Sequence, residues 1–397
     1  MNLLPKTKIQ LDHLGQFYAA VHSENNPGTF SVSAHLKDPL IPKTLQQAVN
    51  DLMQRLPFLN VGLKSGFMWH YHEVLAIPPK IVSENDFPPL CSSFKMSSNH
   101  LIRVIYGERY FTVEVLHTVC DGRSLAMVVS SLLARYSELL GERVIKERLV
   151  NCNETMHLEE AEDAYVKYAD LRKTKFEDDK DAYIPKYQPV ATRIMTHKFK
   201  LTHIKAKAKT KNLTITEFIM AHICNEFAIQ RRKDGSNNKI TVNVPIDCRG
   251  FFPSKSLRNF VTHKAITMAE SLSFTDMAQD LKRQFADITP DFIQSKVSEM
   301  ERLMRIGKCI PLFVKNSMIK KIGENEGAGY TTGFSNLGLI RLPKEIEEKI
   351  ESLSFALGPE PNMPYQFSCV AVGDTLSLSV TTTAKDTEII DRIINDL

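Results

Sequence analysis

The sequence holds little that would commit it to a membrane, a metal or a nucleic acid. No uninterrupted apolar run approaches the roughly 20 residues that a membrane-spanning helix needs. The first fifteen residues, MNLLPKTKIQLDHLG, are polar and lack the apolar core of a signal peptide. Seven cysteines (Cys91, Cys120, Cys152, Cys224, Cys248, Cys309 and Cys369) form no C-x-x-C pair, so neither a zinc ribbon nor a redox motif is indicated. Free thiols in a reducing compartment are the simple reading, and a cytoplasmic protein without a membrane span is the expectation. Charge is nearly balanced: 50 Lys and Arg against 46 Asp and Glu leave +4, too little for a duplex-binding face. The most basic run, residues 205–211, reads as the solvated face of a helix. His70 and His72 share a strand face without further ligands nearby, so no metal is expected there.

What is present is periodicity. Residues 28–37, GTFSVSAHLK, place Phe30, Val32, Ala34 and Leu36 on one side, the pattern of a half-buried strand. Between Pro42 and Pro57, apolar residues at 45, 48, 49, 52, 53 and 56 form one helical stripe. GFMWHYHEV (residues 66–74) predicts a second strand, and residues 101–106 and 110–116 predict a hairpin around GER. After Gly122 the period changes to that of a long helix, which Gly141 stops. Residues 151–193 are dominated by charge and are expected in part to form a surface connection. Order returns with a strand at RIMTHKFKL and a helix near Thr202. Thr214 and Glu217 form a capping box, and residues 239–247 alternate as another strand. Residues 295–321 read as amphipathic helix, Gly373–Asp374 as a hairpin turn, and the chain ends in a helix from Asp386. The order of elements is loosely similar in both halves, which hints at two α/β domains.

One junction carries chemistry. In YFTVEVLHTVCDGRS, residues 110–124, an apolar strand ends in His117, and Asp121 and Gly122 follow at the head of a helix. An imidazole with an ordinary pKa of about 6.5 can take a proton from a hydroxyl or amine near neutral pH. The plainer reading is a packed strand histidine followed by an N-cap aspartate. Cys120 beside Asp121 is read as a small core filler rather than a nucleophile.

LHTVCDG resembles the His-x-x-x-Asp-Gly motif of the chloramphenicol acetyltransferase-like superfamily of CoA-dependent acyltransferases, which includes condensation domains and the plant BAHD acyltransferases. VPIDCRGFFPSKSLRNF, TTGFSNLGLIRLP and LQQAVNDLMQRLPFLNVGL are similar to stretches of its alcohol acetyltransferase-like branch and occur in that branch's order. The resemblance implies an α/β fold with mixed sheets: two chloramphenicol acetyltransferase-like domains, residues 1–175 and 176–397, with the active-site channel at their interface. It implies His117 as general base, and Asp121 paired with Arg249 in a bidentate bridge that locks the histidine loop. Gly122 would leave room for the pantetheine arm. Ser335 and Asn336 are the candidates for stabilising the oxyanion, with Tyr330 and Thr331 as further wall residues.

The implied reaction moves an acyl group, in the simplest case acetyl, from a CoA thioester to an alcohol in a ternary complex. No metal or bound cofactor takes part, and acyl-CoA is a co-substrate. An amide-forming or carrier-protein-dependent enzyme is the alternative, with an amine acceptor or an acyl carrier protein as partner. A silent thioester- or partner-binding protein is the alternative of another class. A monomer suffices for a site built within one chain. Two departures stand out. Condensation domains carry a first histidine where this chain has Leu116, which argues against peptide condensation. The Asp-Phe-Gly-Trp-Gly motif of plant BAHD enzymes is missing, the single tryptophan being Trp69.

Overall fold

Alternating apolar residues build one large sheet mainly from the first half of the chain and another from the second. The computed structural model describes residues 7–23, 26–86, 90, 94, 100–172, 182–268 and 273–397, apart from the side chains of 322–328. The first half supplies β1 (Lys8–Gln10), α1 (His13–Val21), β2 (Thr29–Leu36), α2 (Pro42–Arg55), β3 (Val61–Ser65), β4 (His70–Val74), β5 (Val82–Ser83), β6 (Ile102–Tyr106), β7 (Tyr110–Leu116), α3 (Gly122–Leu139) and α4 (Ala164–Tyr168). The second half opens with β8 (Pro189–Lys200), α5 (Leu201–Thr210), α6 (Ile215–Lys233), β9 (Ile240–Asp247), β10 (Val261–Met268), α7 (Phe274–Ala286), α8 (Pro290–Gly307) and α9 (Leu312–Ala328). It closes with β11 (Thr332–Leu339), α10 (Lys344–Glu347), β12 (Ile350–Leu357), β13 (Tyr365–Val372), β14 (Thr375–Ala384) and α11 (Glu388–Asp396).

The strands form a five-stranded sheet in the order β12-β2-β7-β6-β5, a small sheet β1-β4-β3, and a six-stranded sheet β10-β9-β11-β13-β14-β8. Both larger sheets are mixed: β5 runs parallel to β6, and β11 runs parallel to β9 and β13. The apolar stripes of α2 and α3, including Leu45, Leu52, Leu125 and Leu132, bury against Phe30, Val32, Phe111 and Val113 of the five-stranded sheet. In the second lobe, Ile219, Ile223 and Phe227 of α6 pack on Phe334, Phe367 and Leu378. Each such side chain contributes about 1.5–3 kcal/mol on leaving water.

The lobes exchange material. β12 comes from the second half of the chain, yet it pairs antiparallel with β2 and completes the first sheet. The expected boundary between residues 175 and 176 lies outside the described residues. One expectation is refined. Residues 295–321 are two helices rather than one, because α8 ends at Gly307 and Pro311 has no N–H with which to continue a helix. The charged stretch 151–193 was expected to be surface only in part, and within it Tyr165 is fully buried, its hydroxyl donating to the carbonyl of Val261 at 2.5 Å.

Candidate functional site

β7 makes its last pairing at Leu116, opposite Thr29, and the chain then turns through residues 117–120 into α3. The backbone N–H of His117 donates to the carbonyl of Gly28 at 2.8 Å, and that of Val119 to Leu116 at 3.0 Å. α1 leans on this turn so closely that a Cβ on Gly15 would lie 2.9 Å from the carbonyl oxygen of Thr118. Only glycine permits that approach. Asp121 caps α3, its Oδ1 accepting the N–H of Ser124 at 2.9 Å. The N-cap reading of Asp121 therefore holds, and it is half of what the residue does.

The other oxygen of Asp121 faces the second lobe. Its Oδ2 accepts from Arg249 Nη1 at 2.9 Å and from the N–H of Phe260 at 2.8 Å. The expected bidentate bridge is thus a single-point bond, because Arg249 Nη2 donates to Ser124 Oγ and the Arg258 carbonyl instead of Oδ1. Arg249 uses its other donors on Asp247 Oδ1, Ser124 Oγ and the carbonyls of Ser256 and Arg258, at 2.6–3.0 Å. Burial pushes the Asp121 carboxyl up, but the guanidinium and the two backbone donors outweigh it and hold the group below its ordinary value. Asp121 is fully buried and ionised.

His117 sits differently. The residue is half-buried, its ring stacked on Tyr18 of α1 at 4.0 Å between centroids and tilted against Phe30 at 4.7 Å. Nδ1 lies 3.0 Å from Asn259 Oδ1. The orientation of that amide is fixed on its far side, where Nδ2 donates to both oxygens of Asp12 at 3.1 Å and to the carbonyl of His117 at 3.0 Å. A carboxylate only accepts, so the Asn259 nitrogen must face Asp12 and its oxygen must face the ring. His117 then carries its proton on Nδ1 and presents a bare Nε2. Burial pushes the imidazole down to about 4, with the Asp121 charge opposing, so the ring is neutral at physiological pH.

Asp12 itself is fully buried. It caps α1 through the N–H of Gly15 at 2.7 Å and lies 3.4 Å from Arg258 Nε. Burial raises its carboxyl to about 6 against the pull of Arg258. Asp12, Tyr18, Arg258 and Asn259 were not singled out from the sequence. Asn259 and Arg258 stand inside the SKSLRNF stretch that carries the resemblance, and that was the available signal.

The remaining expected residues divide. Gly122 opens α3, but a Cβ there would meet Leu337 at 3.1 Å and Phe355 at 3.2 Å, so packed side chains take up the space beside it. Ser335 and Asn336 are neighbours on β11 and point to opposite faces. Asn336 turns toward α6, its Nδ2 donating to Thr216 Oγ1 at 2.9 Å and its Oδ1 accepting the N–H of Gly338 at 2.7 Å. Its amide is committed to the fold. Ser335 is buried on the opposite face, the one shared with Leu337. Thr331 exchanges hydrogen bonds with Thr241, and Tyr330 packs with Ala265 and Met363, so both belong to the framework of the second sheet. Cys120 lies in the first core, where burial pushes its thiol far up and keeps it protonated. His70 and His72 are both buried, and His72 Nε2 lies 3.3 Å from Thr118 Oγ1. Among the described residues no group of three His, Cys, Asp or Glu is placed to hold a metal ion, and no helix is long and apolar enough to cross a membrane.

Comparison with known proteins bears on the fold and the family. No curated protein matches the chain in sequence. Among solved structures, polyketide synthase associated protein 5 from Mycobacterium tuberculosis superposes with a TM-score of 0.68 at 15% identity, over 99% of this chain and 97% of that one. The first condensation domain of the CDA synthetase gives 0.64 at 11% identity, over 99% and 95%. A starter condensation domain of rhizomide synthetase, in complex with C8-CoA and Leu-SNAC, gives 0.63 at 9% identity, over 98% and 93%. At such identities the likeness shows a shared two-lobed fold. The alcohol acetyltransferase family model matches residues 164–392, more than half of the chain, including Arg249, Arg258, Asn259 and Ser335, and the protein belongs to that family.

Proposed function

We propose that the protein is a CoA-dependent O-acyltransferase that moves an acyl group, acetyl in the simplest case, to an alcohol. The reading rests on one observation above others: His117 is held with Nδ1–H on Asn259, which leaves Nε2 as a neutral proton acceptor on a half-buried ring. In the proposed step, Nε2 takes the hydroxyl proton as the alcohol oxygen attacks the thioester carbonyl. The tetrahedral intermediate collapses, the C–S bond breaks, and the imidazolium returns the proton to the departing thiolate. Ser335 is the proposed oxyanion donor, since it lies on the β11 face that meets the head of α3. Asp121 and Arg249 touch no substrate in this scheme and hold the turn. The two lobes are proposed to divide at about residue 175, with β12 lent back to the first.

An amine acceptor, or a carrier-protein thioester as donor, is the second reading, favoured by the fold shared with condensation domains. Thiol release from acetyl-CoA, followed with matched alcohols and amines, decides between them. The proposal expects release with alcohols, lost on His117→Ala while the thermal melt is unchanged. Undiminished turnover in that variant would remove His117 from the mechanism.

A further inference from the structure

Positive charge gathers in two stretches, residues 198–211 and residues 301–321, and only the second is flanked by exposed apolar groups of the kind described next. Residues 301–321 hold six Lys and Arg against one Glu, a net +5, whereas the whole protein carries only +4. The same stretch spans the end of α8, the turn and the start of α9, and it leaves large apolar side chains in solvent. Ile306 is 67% exposed, Leu303 58%, Phe313 73% and Met318 52%. Leu303 and Ile306 stand three apart on α8, and Val314 and Met318 four apart on α9, so each pair shares one helix face. Phe67, 78% exposed on the β3–β4 turn, is tied to the start of α9, its carbonyl accepting the N–H of Leu312 at 3.0 Å. The tip is anchored rather than loose. A Cβ on Gly307 would lie 2.9 Å from the Trp69 ring, and the Lys315 ammonium lies over that indole.

Clustered apolar side chains at such exposure mark a surface that meets something. We propose that the α8–α9 tip, together with the Phe67 turn, docks on the surface of an anionic phospholipid bilayer. Charge selects this occupant: Lys308, Lys320 and Lys321 are exposed beside the apolar groups, and the one acidic residue of the stretch, Glu301, is buried and already paired with His13 and Arg305. Such a surface places side chains such as Phe, Leu and Ile at the acyl boundary while lysines reach lipid phosphates. A lipid interface accepts protruding groups without matched pockets, which a folded partner would have to supply one by one. α9 packs on α1, whose Tyr18 stacks on His117, so the docked face lies one helix from the catalytic histidine.

Co-sedimentation with vesicles of phosphatidylcholine, alone and mixed with phosphatidylserine, tests this on the full chain. The wild-type protein should pellet only with the mixed vesicles and be released by high salt. Ile306→Ser with Phe313→Ser should lower partitioning by roughly tenfold or more, and Lys320→Glu with Lys321→Glu should lower it as well. Lys205→Glu with Lys209→Glu, on the other basic run, should leave it intact. Thermal melting and thiol release should stay at wild-type values in each variant, and Phe67→Ser substitutes for any that fails to fold. Absence of pelleting would overturn the proposal, as would equal loss in the α5 variant or full binding by the apolar variant. So would capture of an acidic carrier protein at this patch without vesicle binding.

Discussion

His117 offers one nitrogen because the other is taken, and the chain that takes it runs Asp12, Asn259, His117. Removing the amide in Asn259→Ala frees the ring to adopt either tautomer and to shift. A misplacement of about 1 Å costs on the order of 100-fold in rate. kcat in the thiol-release assay should fall by that order while KM for acyl-CoA changes little. The pH profile has a definite sign. Burial lowers the imidazole to about 4, so the basic form predominates above that value and is lost as pH falls through it. The plateau of kcat/KM should therefore persist from pH 7 down to roughly 5. Protonation of Asp12 near 6 does not break the chain, since a protonated acid keeps an acceptor oxygen for Asn259 Nδ2. An acid limb centred near the unperturbed value of about 6.5 would contradict the environment described. His117, Asp121 and Arg249 were legible because motif and resemblance mark them. Asn259 lies 142 residues from His117 and 247 from Asp12, distances that no local pattern spans.

Local signals survive well at the scale of elements where the information is local. The Thr214–Glu217 capping box forms as its sequence states, with the Thr214 N–H on Glu217 at 2.7 Å and the Glu217 N–H on Thr214 at 3.2 Å. β2, β7 and β9 appear where alternation places them. β12 was not foreseen, since its place is decided by β2, more than 300 residues earlier in the chain. The break between α8 and α9 is marked in the sequence only by Gly307 and Pro311, a short signal inside a stretch whose composition stays helical on both sides. α1 shows how an element can set a site it does not obviously belong to. Gly15→Ala would push a methyl group against the Thr118 carbonyl, a backbone atom that cannot move aside cheaply. The expected cost is about 1–3 kcal/mol, read as a lower denaturation midpoint at unchanged m-value. Because α1 carries Tyr18 and Asp12, kcat should fall as well.

The two lobes meet through buried charge. Asp121 and Asp12, from the first half of the chain, are answered by Arg249, Arg258, Asn259 and the Phe260 N–H from the second, and Arg258 also reaches the carbonyls of Gln10 and Ala161. Breaking such a pair from one side leaves a charge stranded, which typically costs about 3–5 kcal/mol. Arg249→Met should destabilise the protein by that order, and Asp121→Asn in the same chain should restore part of it, a coupling that a double-mutant cycle measures. The pH dependence separates this from mere loss of packing. With Arg249 present, the Asp121 carboxyl lies below its ordinary value, so its stabilising contribution is complete above an unfolded pKa of about 3.9 and is lost as pH falls through the folded one. Without Arg249, burial, the largest influence on that carboxyl, is opposed only by the N–H groups of Ser124 and Phe260, and the prediction is that the carboxyl rises above its unfolded value. The folded variant then binds the proton more readily than the unfolded chain, and its stability gains as pH falls through the raised pKa. The gap in unfolding free energy between wild type and Arg249→Met should therefore narrow from pH 7 toward roughly pH 4. A gap independent of pH would mean that the guanidinium acts by filling space rather than by holding Asp121 ionised between the lobes.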